Sequence, residues 1–522
     1  MTTMNQFAQS LSDREFPVSW SNNFANYGLP LPLFAHQLPA YLGAVLILLG
    51  FSTTLSYNLI MFFGVAFSSF LFYLFLRQYF SKTDSLVAVI LMNYFPYRII
   101  NIYIRGGLPE VLASSVFPLL LISIYQLNVK KQFSGLVLLT ISLLLLALCH
   151  PMILVIYSIP LFFYFLATVN KKFLVKNSLR AILFSILGVG ISAYYLLPLL
   201  VEMKYFYQGL SQNSVSLDNF LRLENFFSPN WYYFLTHPGP RGNFIKFGLI
   251  EAITLVVAML LMILALIKNS KKTILFLKNH LVLIGWIIST FLTIFLLIPI
   301  SFSLYQIRFL REIQYPWRFL SVIQFSLPFI FIYTLNLLKI KCKNLILFGL
   351  VLLILIARTS QLYGKNYIAN IEDSYHFTQA NLHSSNLNTI WSGRADDYPK
   401  KEKQLEVIEG NAVIKNEQLK NASRTFTLSA ISDVRVIDYT FYFPGWVVKS
   451  NGQPVEIEFQ DPEFRGLITY RLPEGNHNIE VSYKPTKIRL FSRIISMISL
   501  FIFLGAVLFL NKKLLHKKSF TK

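Results

Sequence analysis

The chain is short of charge, of cysteine and of the common catalytic signatures. Only 14% of its 522 residues are Asp, Glu, Lys or Arg, where a soluble globular protein carries about a quarter. With 54% apolar residues, a water-soluble fold would have to leave a very large apolar surface bare, and that class is excluded. The two cysteines, Cys149 and Cys342, form no CxxC pair and no disulfide framework. The eight histidines are scattered, without HxH or HExxH spacing. No Walker-type phosphate loop and no nucleophile elbow is present. These absences argue against an ATP-driven pump, a zinc enzyme and the common membrane hydrolases. Acidic residues are scarce too, 25 against 47 basic ones. Because Lys and Arg gather in short loops between apolar runs, the +22 net charge reads as the positive-inside pattern, with no nucleic acid as partner. The same loops suit anionic lipid headgroups.

What is present is a series of apolar runs of about 17–25 residues, the length that crosses a bilayer core as helix. They fall near 57–76, 85–101, 111–127, 133–149, 152–168, 180–201, 246–267, 281–300, 318–338, 344–359 and 488–510. Lys512, Lys513, Lys517, Lys518 and Lys522 follow the last run, so the tail 511–522 is expected in the cytoplasm. Alternation from there puts the other Lys-rich loops inside and sets Cys149 and Cys342 on opposite faces. The predicted fold is an α-helical polytopic membrane protein of about eleven spans in a bacterial plasma membrane. Its transmembrane helical domain covers 57–359, with an outer loop at 202–245. Residues 360–487 are expected outside. From about 405 they alternate with period two between turns such as Asn451-Gly452, which predicts an extracytoplasmic β-sandwich-like domain. A final transmembrane helix, 488–510, follows. The segment 1–56 is predicted to lie outside, with 38–50 as an interfacial helix. An odd number of spans with the C-terminus inside puts the N-terminus outside; the expectation is one further span upstream, the alternative being that 38–50 itself spans with a tilt and leaves the N-terminus inside.

Candidate chemistry sits at the predicted outer helix ends. Arg98 and Arg105-Gly106-Gly107-Leu108-Pro109-Glu110 bring two arginines and a carboxylate into one short loop. Glu110 suits the first turn of a helix; as a functional group it is a base, or a metal or sugar ligand. Arg105 offers a planar fork to a phosphate. His150 precedes Pro151 at another outer turn and can act as acid or base near neutrality. Arg308, Arg311 and Glu312 lead into Gln314-Tyr-Pro-Trp-Arg318, either an interfacial anchor or a phosphate clamp. Glu202, Lys204, Arg241 and Glu251 are a weaker set, and Asp13 and Glu15 lie in the N-terminal segment.

In their order, Phe16-Pro-Val-Ser-Trp20, Tyr27-Gly-Leu-Pro-Leu-Pro-Leu-Phe34, Pro96-Tyr-Arg98, Arg105-Gly-Gly-Leu-Pro-Glu110 and Gln314-Tyr-Pro-Trp-Arg-Phe319 resemble a bacterial family of polytopic proteins, the 6-pyruvoyl-tetrahydropterin synthase-related membrane proteins. Tyr442-Phe-Pro-Gly-Trp446, Leu472-Pro-Glu-Gly475 and Tyr483 are similar to the β domain of YfhO-like chains. Pterin synthase chemistry needs a zinc-binding histidine cluster, which this sequence lacks. The architecture instead resembles the GT-C glycosyltransferases. That resemblance implies transfer of a sugar from a polyprenyl-phosphate donor to a cell-envelope glycan or lipid acceptor on the outer side. It implies Glu110 as an acidic residue of an outer loop and Arg105 or Arg318 at the donor phosphate; with the reading of the residues themselves, the catalytic candidates are Glu110 and His150, and the substrate-binding ones Arg98, Arg105, Arg318, Arg308 and Arg311. No cofactor is fixed, and a divalent metal is compatible although no residues are assigned to one. The acidic residue that usually closes the family's first span has no counterpart here. The competing expectations are a non-catalytic scaffold or accessory subunit and, behind it, a transporter.

Overall fold

A computed structural model describes the chain except residues 23–26, 207–214, 228–244, 360–361, 363–388, 393–401 and 520–522, together with the side chains of 308 and 510–519. Much of the predicted outer loop 202–245, including Arg241, therefore lies outside the described residues. The chain divides into two compact units. One comprises 1–60, 192–212 and 368–498; the other comprises 61–191, 213–367 and 499–522.

The second unit is helical. Across the described chain, seven helices are long and apolar enough to cross a membrane: Thr53–Leu76, Leu108–Asn128, Pro151–Thr168, Lys171–Ile191, Leu249–Lys268, Pro316–Leu337 and Lys487–Phe509. Two bent pairs raise the number to nine if each is one span: Lys82–Asn93 with Pro96–Ile104 at 56°, and Ser270–Asn279 with Leu281–Leu297 at 85°. Ser134–Cys149 is apolar but has only 16 residues. The helices approach closely where side chains are small, which is how packing gains contact when lipid already solvates apolar surface. A Cβ on Gly135 would lie 2.6 Å from Ser123 O, and one on Gly188 would lie 2.6 Å from Thr140 O.

The first unit contains the β structure. Strands β1 (Leu405–Glu409), β4 (Val434–Phe441) and β7 (Leu467–Leu472) form one antiparallel sheet in the order β1-β4-β7. Strands β2 (Ala412–Leu419), β3 (Ser423–Ala430), β5 (Trp446–Ser450), β6 (Gln453–Val455) and β8 (Gly475–Tyr483) form a second, in the order β2-β3-β8-β5-β6. Period-two patterning is clear in β3, where Arg424, Phe426, Leu428 and Ala430 are buried in alternation with Thr425, Thr427 and Ser429. Phe426, Leu428, Val436, Ile468 and Val481 bring both sheets into one apolar core, the signature of a sandwich.

Strand β4 departs from alternation because both of its faces are covered. Val434 and Val436 enter the shared core, while Ile437 and Phe441 pack against Tyr27 and Leu29. The N-terminal segment is thus part of the β unit. Phe441 N–H donates to Tyr27 O at 3.0 Å. Trp20, fully buried, packs against the rings of Trp446 and Tyr483 at 5.0 and 4.9 Å. Asn421 Nδ2 donates to Trp20 O at 2.7 Å and to Ser10 Oγ at 2.8 Å.

Candidate functional site

The best-defined polar cluster lies inside the helical unit, and a proline creates it. Phe95 adopts an extended backbone because Pro96 crowds the residue before it. The helix Lys82–Asn93 stops there and restarts at Pro96 with the 56° bend. The new direction carries Tyr97, Arg98 and Asn101 into the unit, all three buried. After Arg105 the chain turns through Gly106 at φ +56°, a left-handed backbone that glycine adopts without steric cost. Pro109 then opens the helix Leu108–Asn128, placing Glu110 in its first turn.

Five hydrogen bonds converge on the Glu110 carboxylate. Oε2 accepts from Tyr97 Oη at 2.6 Å, Arg105 Nη1 at 2.9 Å and Asn101 Nδ2 at 3.2 Å. Oε1 accepts from Arg105 Nη2 and from Arg318 Nε, both at 3.1 Å. His150 Nε2 is 3.8 Å from Oε1. Arg105 also donates to Asn101 Oδ1 and lies over the Trp317 ring, 4.4 Å from its centroid. Arg318 is held by the short helix Pro316–Phe319 and donates to Ile313 O at 2.9 Å. Arg98 is bound by neutral groups alone: Nε donates to Asn93 Oδ1 at 3.0 Å and Nη1 to Ser114 Oγ at 3.1 Å. Its Nη2 is buried without a hydrogen-bond partner among the described residues. The cluster therefore sets two guanidinium groups, Arg105 and Arg318, against one carboxylate, with Arg98 buried on neutral partners beside it.

Of the residues singled out by sequence, Arg98, Arg105, Glu110, His150 and Arg318 meet here. The Arg311 side chain makes no hydrogen bond or ion pair among the described residues, and the side chain of Arg308 lies outside them. Glu251 pairs with Arg358 at 2.7 Å in the helical unit, and Glu202 pairs with Arg489 at 2.9 Å in the β unit. Asp13 and Glu15 both accept from Asn421, so they tie the N-terminal segment to the β domain. Among the described residues no group of three His, Cys, Asp or Glu could hold a metal ion. Tyr97 and Asn101 were missed by sequence reasoning. The available signal was Asn101 standing four residues before Arg105 within an apolar stretch.

A bundle of apolar helices, one of them broken around a buried polar cluster, and a β sandwich define a polytopic membrane protein with a C-terminal β-sheet region. The chain belongs to the 6-pyruvoyl-tetrahydropterin synthase related domain family, a membrane protein family whose pattern it matches over residues 34–363. No curated protein and no solved structure matches it significantly.

Proposed function

We propose that the Glu110 cluster binds the phosphate of a lipid-linked sugar donor, and that the protein is a GT-C-like transferase passing that sugar to a cell-envelope acceptor on the extracytoplasmic side. The observation carrying this reading is the charge imbalance: Arg105 and Arg318 both pair with a single buried carboxylate, and Arg98 is buried against the same helix, Leu108–Asn128, through Ser114 with no carboxylate of its own. Buried ionisable groups in membrane helices mark sites of function, and unbalanced guanidinium groups there favour an anion with planar acceptor geometry. In the reaction, the acceptor hydroxyl oxygen attacks the anomeric carbon. The bond from that carbon to the phosphate oxygen breaks, and the leaving phosphate takes the electron pair. Arginines beside it stabilise the developing charge.

The hydroxyl proton needs an acceptor. Glu110 is poorly placed for this, since both its oxygens already receive hydrogen bonds. Glu110 is better read as a positioning residue that sets Arg105 and Arg318, with His150 taking the proton. The saturation of Glu110 also favours a second reading, in which the cluster binds a lipid phosphate without catalysis and the chain is a scaffold or accessory subunit.

The deciding experiment uses the full chain in proteoliposomes with a radiolabelled polyprenyl-phosphate sugar and membrane-derived acceptor. Under the transferase reading, His150→Gln abolishes transfer while donor binding persists, and Arg318→Gln loses both. Donor retention without turnover by the wild-type protein, across several sugars and acceptors, would establish the scaffold instead. Absence of any donor binding would remove both.

A further inference from the structure

The β unit holds a second cationic site, distinct from the Glu110 cluster. A narrow, open cleft is lined by Gln37, Tyr194, Tyr195, Arg489 and Arg493, with Pro17 and Val18 also at its edge. Arg489 and Arg493 stand one turn apart at the start of the apolar helix Lys487–Phe509, so they share a face. Like charges at this spacing repel unless something lies between them.

Arg489 is only 2% exposed. Its Nε donates to Glu202 Oε2 at 2.9 Å and Nη2 to Pro444 O at 3.3 Å, and its guanidinium lies 4.8 Å from the Tyr483 ring centroid. Nη1 donates no hydrogen bond among the described residues. Arg493, half-buried, makes no salt bridge among them. Glu202 is the carboxylate paired with Arg489. Glu15, the other acid near Arg493, is engaged by Ser19 at 2.8 Å and by Asn421. The cleft thus combines a buried donor without an acceptor, an unpaired cation and a carboxylate committed to one of them.

We infer that this cleft binds the phosphate group of an anionic phospholipid. The lipid source is favoured over free phosphate by the apolar elements that carry the cleft. The arginines occupy the first two turns of a 23-residue apolar helix. Gln37 opens the helix Gln37–Leu48, which exposes Leu42, Val45 and Leu48. Arginine beside tyrosine at the end of an apolar helix suits phosphodiester headgroups. The bound headgroup would sit between Arg489 Nη1 and the Arg493 guanidinium.

The test is native mass spectrometry of the full-length protein in mild detergent, titrated separately with phosphatidylglycerol, phosphatidylcholine and inorganic phosphate. Arg493→Gln is the variant of choice, because removing Arg489 would leave Glu202 buried and unpaired. Wild-type protein should retain one phosphatidylglycerol more than Arg493→Gln, with affinity about tenfold higher for loss of one charge-assisted contact. Arg493→Lys should recover part of the difference, and phosphatidylcholine should not compete. Lipid-free Arg493→Gln should melt with the wild type, which separates lost binding from lost folding. Equal phosphatidylglycerol retention by both proteins would overturn the site. Saturation by inorganic phosphate without phosphatidylglycerol retention would overturn the lipid assignment.

Discussion

The helical unit and the β unit each build a cluster around one buried charged side chain, Glu110 in the first and Arg435 in the second, of opposite sign and with partners of different exposure. In the helical unit, Glu110 gathers Arg105 and Arg318, its own side chain being 5% exposed. In the β unit, Arg435 gathers Glu409 at 3.2 Å, Glu458 at 3.0 Å and Asp461 at 2.8 Å. Two of those three carboxylates are more than one-third exposed, Glu409 at 48% and Glu458 at 39%, and Arg471 adds a second cation to the network. An excess of negative charge at such a surface is absorbed by water and salt at little cost. An excess of positive charge in a buried cluster has no such outlet. The comparison teaches that charge imbalance implies a ligand only where solvent is excluded. For that reason the functional proposal rests on the arginines around Glu110 and not on the acids around Arg435.

Removing the central residue of each cluster should separate the two sharply. Glu110→Ala leaves the Arg105 and Arg318 guanidinium groups buried without their carboxylate, and breaking a buried pair this way costs about 3–5 kcal/mol. The variant should accumulate poorly and melt well below the wild type in detergent. A polyprenyl phosphate added in excess should recover part of the loss, since an anion replaces the missing charge. Wild-type stability in Glu110→Ala would mean that water already reaches the cluster, and the contrast between the units would collapse.

Arg435→Ala is the matching test in the β unit, and its expected cost is smaller, about 1–2 kcal/mol. Its three acids can turn to solvent once freed. What is lost is mainly the hydrogen bond from Arg435 Nη2 to Thr469 Oγ1 at 3.0 Å and the packing of its buried stem. Faster amide exchange in β4 and β7 than in β3 and β8 would be the readout. A loss equal to that of Glu110→Ala would show that exposure does not govern the difference.

The two units were unequally legible in the sequence. The β-sheet region announced itself by alternation, as in Thr425-Phe426-Thr427-Leu428 and Ile479-Glu480-Val481, because one face of those strands is buried and the other wet. Strand β4 alternates poorly, since Tyr27 and Leu29 cover its second face from more than 400 residues away in the chain. In the helical region the apolar runs were plain, yet hydropathy averages across a break. The predicted span 85–101 conceals the bend at Phe95-Pro96, although the proline was in view. The expected count of about eleven spans compares with seven to nine candidate spans among the described residues, partly because Ser134–Cys149 and Lys343–Thr359 are only 16 and 17 residues long. Arg98, Arg105, Glu110, His150 and Arg318 were visible as charged or titratable groups beside apolar runs. Their convergence was not, because Arg318 reaches Glu110 across 208 residues of sequence. The partners Glu202–Arg489 and Glu251–Arg358 left no local pattern at all.

The smallest effect expected is a pH dependence confined to the β unit. Hydrogen bonds from Arg471 and Arg435 hold the Glu409 carboxyl below its ordinary range, and Arg435 with the Glu463 N–H does the same for Asp461. A carboxyl depressed in the folded state contributes stability at pH values above its unfolded value. That contribution falls away as the pH drops through the folded value. The β unit should therefore loosen on acidification below the usual carboxylate range, while neutral and mildly alkaline conditions leave it unchanged. Glu409→Gln should flatten this acid limb, because the amide keeps an acceptor for Arg471 but cannot take up the linked proton. Both carboxyls border solvent, so salt should weaken the effect. Hydrogen exchange of Val434–Phe441 and Leu467–Leu472, corrected for the intrinsic pH dependence of exchange, reads the difference directly. An acid limb of the same depth in Glu409→Gln would assign it to the other titrating groups and detach Glu409 from the linkage.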